Sequence, residues 1–235
     1  MSGWAKKRFW KETTVEDEGE GFGVRLDGRA VKTPAKAALI VPTRAMAEAI
    51  AAEWDAQEAE INPTAMPTTR GANAAIDKVR IQHGEVADML AEYGNSDLLC
   101  YRAAQPQELI ARQAEAWDPL LERAAKELSA SLRPLSGIMH VDQDARSLAE
   151  LRKRVHALNE FELAAFHDLV SLSGSLVIGF AAVHGWAPID ELWDVSRIDE
   201  TWQEEQWGVD EEAQAQAAIK KEAFLHADRF FAMAR

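Results

Sequence analysis

At 235 residues and 47% hydrophobic composition, the chain is long enough for one large domain or two small ones and apolar enough to bury a core, which excludes a disordered polypeptide. With 26 Lys and Arg against 39 Asp and Glu, the net charge of −13 has the wrong sign for tracking a nucleic-acid backbone or anchoring on anionic lipid. A single cysteine, Cys100, excludes an internal disulfide.

The run from Met1 to Lys11 carries charges and two tryptophans where a secretory signal needs an apolar stretch, so the expected compartment is a reducing cytosol. The longest apolar run, Leu176 to Val183, has eight residues. Spanning a bilayer takes roughly 18 to 20. Stable membrane insertion is therefore not expected.

In chain order, Lys6 to Val15 alternates weakly and reads as a first strand, followed by an acidic turn over Glu16 to Gly21. Phe22 to Leu26 and Ala30 to Thr33 flank Asp27-Gly28, a dipeptide that accepts the positive φ angles of a tight hairpin, and Leu39 to Val41 adds a further short run. At Thr43 the period changes: Met46, Ala47, Ile50, Ala51 and Trp54 recur at helical spacing behind a capping threonine, predicting a helix that covers the sheet. Pro63 and Pro67 then interrupt regular structure, and the domain boundary is placed at residue 62.

Beyond it the pattern is helical: 68–82, 85–93, 107–128, 144–158, 160–172, 175–184, 189–207 and 210–234. Gly208 terminates one of these helices, and Asp210 with Glu211 and Glu212 opens the last. The expected fold is α+β, with a small antiparallel-sheet domain and covering helix over residues 1–62 and an all-α domain over 63–235.

Few motifs carry chemistry. Gly19-Glu20-Gly21-Phe22-Gly23 lacks the following Gly-Lys-Ser/Thr of a phosphate loop and opens a hairpin instead of a helix. The six histidines show no zinc spacing, so no metal or cofactor is expected. Cys100 lies among apolar neighbours and reads as a small buried hydrophobe, and Ser171 to Ser175 reads as a helix junction.

The segment from Asp190 to Glu212 departs from this plain pattern. It holds ten acids against one base, Arg197, together with Trp193, Trp202 and Trp207. Aromatic groups rimmed by charge suit a protein-docking surface, and a well-solvated acidic helix face is the alternative. If the helix ends at Gly208, Glu204 and Glu205 occupy its last turn, where each carboxylate costs roughly 0.3 to 1 kcal/mol against the macrodipole. Glu200 and Glu204 also form a like-charged i,i+4 pair, with Arg197 the one nearby relief.

Several blocks are similar to the ATP12 family of F1-ATPase assembly chaperones: Leu26-Asp27-Gly28-Arg29 with Lys32-Thr33-Pro34; Glu53-Trp54-Asp55-Ala56-Gln57; Met66-Pro67-Thr68-Thr69 with Ala75-Ile76-Asp77; Leu98-Leu99-Cys100-Tyr101-Arg102; Trp117-Asp118-Pro119; and Asp199-Glu200 through Gln203 to Trp207-Gly208. The resemblance runs in order along essentially the whole chain. It implies a non-enzymatic chaperone that binds the unassembled F1 α subunit, shielding its β-binding surface until β arrives; the sequence offers no ATP site, so binding is expected to be ATP-independent, and a monomer is expected. It further implies a functional acid at Glu200 or the neighbouring Asp199, within a partner-binding set of Asp199, Glu200, Trp202, Gln203, Glu204 and Trp207. Trp54, Asp55 and Asp77 fall in motif blocks, and Trp54 reads as a core anchor. A start at Met1 without a presequence points to a bacterial, cytoplasmic member, in contrast to presequence-bearing relatives of the mitochondrial matrix. Two rivals are an enzyme using the carboxylate cluster with a divalent cation and a general interaction module with another client.

Overall fold

A computed structural model describes residues 7–137 and 140–235, so Lys6, where the first strand was expected to begin, lies outside the described residues. The chain forms two compact units. Among the described residues, the first comprises those of 7–83, 159–165 and 229–235, and the second those of 84–158 and 166–228.

The first unit is built on an antiparallel sheet of β1 (Thr13–Asp17), β2 (Phe22–Leu26), β3 (Arg29–Ala30) and β4 (Ile40–Val41). β2 is central and pairs with each of the others, with Val15 opposite Val24 and Phe22 opposite Val41. Asp27 and Gly28 turn the hairpin with φ of 48° and 77°, as the dipeptide predicts. The Asp27 carboxylate also accepts the amides of Glu12 and Lys11, which hold its pKa below the ordinary range. The glycine run at 19–23 forms the β1–β2 turn and the start of β2. A Cβ at Gly21 would meet the Val41 carbonyl oxygen at 2.5 Å, so the close strand approach requires glycine there.

Helix α1 (Arg44–Asp55) is capped by Thr43 Oγ1, which accepts the Met46 amide, and it buries Met46, Ala47 and Ile50 against the sheet face carrying Val24 and Leu26. From α1, Glu53 reaches to the start of α2 (Pro67–Ala74). Its carboxylate accepts the amides of Thr68 (2.6 Å) and Thr69 (2.7 Å) and the Thr69 hydroxyl (2.6 Å). A helix beginning at Pro67 without a side-chain cap of its own is thus capped from another element. Glu53→Ala strands these donors and is expected to cost about 1 to 3 kcal/mol, read as a lower midpoint in urea unfolding; an unchanged midpoint rules out the capping role. Because α2 packs on α1, the 67–79 region joins the sheet-bearing unit, whereas the sequence reading assigned it to the helical domain.

The second unit is helical. It contains α3 (His83–Glu92) from residue 84, α4 (Gln107–Glu127), α5 (Ala145–His156), α6 (Glu160–Ser173) from Phe166, α7 (Leu176–Val183), α8 (Ile189–Ser196), α9 (Ile198–Trp207) and α10 (Glu211–Met233) up to Asp228. A small two-stranded parallel pair, β5 (Tyr101–Arg102) with β6 (Leu135–Ser136), lies among them. α7 is buried nearly throughout, and at Gly179 a Cβ would meet Val170 Cγ2 at 2.7 Å, which sets its close approach to α6.

At the N-terminus of α7, Asp97 is fully buried. It accepts the Ser175 hydroxyl (2.7 Å) and the amides of Leu99 and Val177, both at 3.0 Å. Ser175 in turn caps α7 by accepting the Ile178 amide, so the serine run is a helix junction. Cys100 is buried beside Asp97; burial, aided by that carboxylate, pushes its thiol up to about 12, which removes any nucleophilic thiolate at neutral pH. Among the described residues no helix is long and apolar enough to cross a membrane.

Candidate functional site

The acidic segment is not one helix over 189–207 but two, α8 and α9, broken at Arg197 (φ −112°, ψ 15°). The break has an identifiable cause. Trp117 on α4 is fully buried, and its indole N–H donates to the Val195 carbonyl at 2.9 Å, occupying the acceptor that a continuous helix offers to the amide of Asp199. Ser196 Oγ donates back to the Trp193 carbonyl at 2.6 Å in the same turn. The chain then re-enters helix as α9, with Asp199 and Glu200 in a first turn, where carboxylates complement the macrodipole.

The charge excess is also less bare than the sequence alone suggests. Glu205, in the last turn of α9, is gripped by both terminal nitrogens of Arg112 on α4 at 2.9 Å each, and this guanidinium lowers the Glu205 pKa. Arg197 binds Glu200 at 2.7 Å. Lys221 on α10 lies 3.2 Å from Asp190 and 3.5 Å from Asp194, and the hydrogen bond to Asp190 raises its pKa first among several causes. Sequence proximity revealed Arg197 alone; Arg112 and Lys221 come from other helices, and Arg112 corrects the expectation of an uncompensated last turn at Glu205, while Lys221 serves the acids of α8.

The six proposed contact residues separate accordingly. Asp199 accepts the Gln113 side-chain amide at 2.6 Å, and Gln113 is itself buried and accepts the Ala103 amide, so Asp199 ties α9 to α4. Glu200 is paired with Arg197, and Trp202 lies half-buried under the Arg112 guanidinium, 5.2 Å from its ring centroid. Gln203 is exposed, Glu204 is half-exposed and makes no ion pair among the described residues, and Trp207 is 79% exposed. Trp193, by contrast, is a core residue packed on Phe224.

The motif residues of the first unit have structural surroundings. Trp54 is half-buried, edge-on to the buried Trp10 with ring centroids 5.3 Å apart. Asp55 is exposed and bridges to Arg8 at 3.2 Å, and Asp77 accepts the Ala35 amide at 3.0 Å. Among the described residues no group of three or more His, Cys, Asp or Glu is arranged to hold a metal ion.

The sequence profile of the family described as ATP12 chaperone protein matches residues 7–125. The chain belongs to this ATP12 chaperone family. Protein atp12, mitochondrial, of Schizosaccharomyces pombe is 26% identical over 219 residues, covering 88% of this chain and 75% of that protein. The crystal structure of Atp12 from Paracoccus denitrificans is 48% identical with a TM-score of 0.95, covering 97% of this chain and 98% of that one. An aspartate-to-lysine mutant of the Paracoccus Atp12p is 47% identical with a TM-score of 0.96 over the whole of both chains. That ATP12 relative therefore keeps the fold when one aspartate is reversed in charge.

Proposed function

We propose that this ATP12-family chaperone binds the unassembled α subunit of the F1 sector of ATP synthase, covers its β-binding surface, and hands it over when β arrives. The supporting observation is the end of α9, where an exposed tryptophan, Trp207, and a carboxylate without an ion pair among the described residues, Glu204, are presented next to acids already paired from within. An exposed subunit interface is apolar enough to self-associate, and holding it needs a competing surface of moderate affinity, with release by exchange of one interface for another.

The contact set comprises Asp199, Glu200, Trp202, Gln203, Glu204 and Trp207, with no cofactor and no catalytic step. Refolding an isolated F1 α subunit with and without the purified chain tests this: suppression of light scattering at near-stoichiometric ratios is expected, and unabated aggregation overturns the reading. Within the set, Glu200→Lys is expected to weaken capture a few-fold by removing long-range attraction while leaving helicity and melting nearly unchanged, because both Glu200 and Arg197 remain partly solvated. Capture equal to the unsubstituted chain removes Glu200 from the mechanism.

A further inference from the structure

We infer that the client footprint centres on a projecting tip formed by the end of α9, the Gly208–Val209 link and the first half of α10, and that the tip engages an apolar patch rimmed by Lys and Arg on the client protein. The inference rests on the chaperone reading above and names the surface that performs it.

Every residue from 205 to 216 is exposed, Trp207 (79%) and Val209 (56%) among them, and Ile219 (64%) is a further exposed apolar group on the first half of α10. Helices in proteins ordinarily derive their stability from a buried face, and this half of α10 buries almost nothing. It is held by local means instead. Asp210 Oδ1 accepts the amides of Glu212 (2.9 Å) and Ala213 (3.1 Å), Glu211 and Glu212 complement the macrodipole, and Ala213-Gln214-Ala215-Gln216-Ala217-Ala218 consists of strong helix formers. A helix maintained without tertiary burial presents a preformed surface, which lowers the ordering cost of binding.

On α10, Ile219 is about 200° around the helix from Ala217, the upward continuation of the stripe that carries the buried Phe224, so it faces away from that packed side. Charge selects the occupant. Among the described residues Glu204, Glu211 and Glu212 make no ion pair, whereas Glu200 and Glu205 are each paired with an arginine, Arg197 and Arg112, and Asp190 and Asp194 share Lys221. A second copy of this chain would bring the same free carboxylates face to face, and nucleic acid or an anionic membrane carries the same sign. A protein surface with an apolar centre and a cationic rim matches both features of the tip.

Isothermal titration of the full-length chain with an isolated F1 α subunit, at low and moderate salt, tests the assignment. Trp207→Ala is expected to weaken binding at least tenfold, as loss of an aromatic anchor does. The pair Glu211→Gln and Glu212→Gln is expected to weaken it several-fold at low salt and to flatten its salt dependence. Far-UV circular dichroism checks that the helix survives, and glutamine, a good helix former, is chosen to preserve it. If the unsubstituted chain binds and both variants match it within twofold, the tip is overturned while the client assignment stands. If the unsubstituted chain does not bind the α subunit, the client assignment falls and takes the tip with it. Concentration-dependent self-association abolished by Trp207→Ala makes the tip a self-contact and likewise overturns the inference.

Discussion

Replacing Asp97 by alanine is expected to cost roughly 3 kcal/mol at pH 8 and to lower the melting temperature by about 6 to 12 °C, on the scale of 2 to 4 °C per kcal/mol for a chain of this size. The carboxylate is the acceptor for the Ser175 hydroxyl and for the amides of Leu99 and Val177, all buried, so its removal leaves several donors without partners or solvent. The same group gives a pH signature of definite sign. Burial pushes the Asp97 carboxyl up to about 6 from an ordinary 3.8, against the opposing hydrogen bonds from Val177, Ser175, Leu99 and Leu176.

Between those two values the folded chain holds a proton that the unfolded chain has released. The Asp97 contribution to stability is therefore fully present below about pH 4, falls as pH rises to about 6, and is level above 7, a loss of about 3 kcal/mol for a shift of about two units. Asp97→Asn lacks this titration. Urea unfolding from pH 4 to 8 should show the stability difference, unsubstituted minus Asp97→Asn, shrinking with pH. A difference that grows with pH means that the hydrogen bonds outweigh desolvation and that the carboxyl is held below, not above, its ordinary value.

Local signals were legible in the sequence and long-range partners were not. Asp27-Gly28, the Thr43 cap, the Gly208 stop and the Asp210 start each act within a turn of themselves, so the hairpin, the start of α1, the end of α9 and the start of α10 fall where residue types put them. The partners of Asp97 and Glu53 lie up to 80 and 16 residues away, and no periodicity announces a carboxylate that caps another element.

The acidic segment shows the same division. Its composition marked it, yet the distribution of its acids between neutralised and free depends on Arg112 and Lys221, which only the packing of α4 and α10 supplies. The expected contact residues were correspondingly mixed. Trp207 and Gln203 are exposed, while Asp199 and Trp202 are engaged with Gln113 and Arg112. The exposed half of α10 was missed because Ala and Gln residues read as an ordinary helix whether or not anything covers them.

Trp117→Ala is expected to have the other large effect, about 3 to 5 kcal/mol of stability, because it empties a fully buried site. Trp117→Phe refines the test. It retains an aromatic ring near the Arg102 guanidinium, which lies 5.2 Å from the indole centroid, but removes the donor to Val195. Without that donor the Val195 carbonyl becomes available to the amide of Asp199, which favours continuing α8 into α9 as a straight helix. Straightening turns Asp199 away from Gln113 and Glu205 away from Arg112, redirecting α9 although no exposed residue has changed. A stability loss of about 1 to 2 kcal/mol is expected for the phenylalanine variant, with a loss of α-subunit capture larger than that figure explains under conditions where it remains folded. Full capture by folded Trp117→Phe means that the break between α8 and α9 shapes the core without aiming the surface.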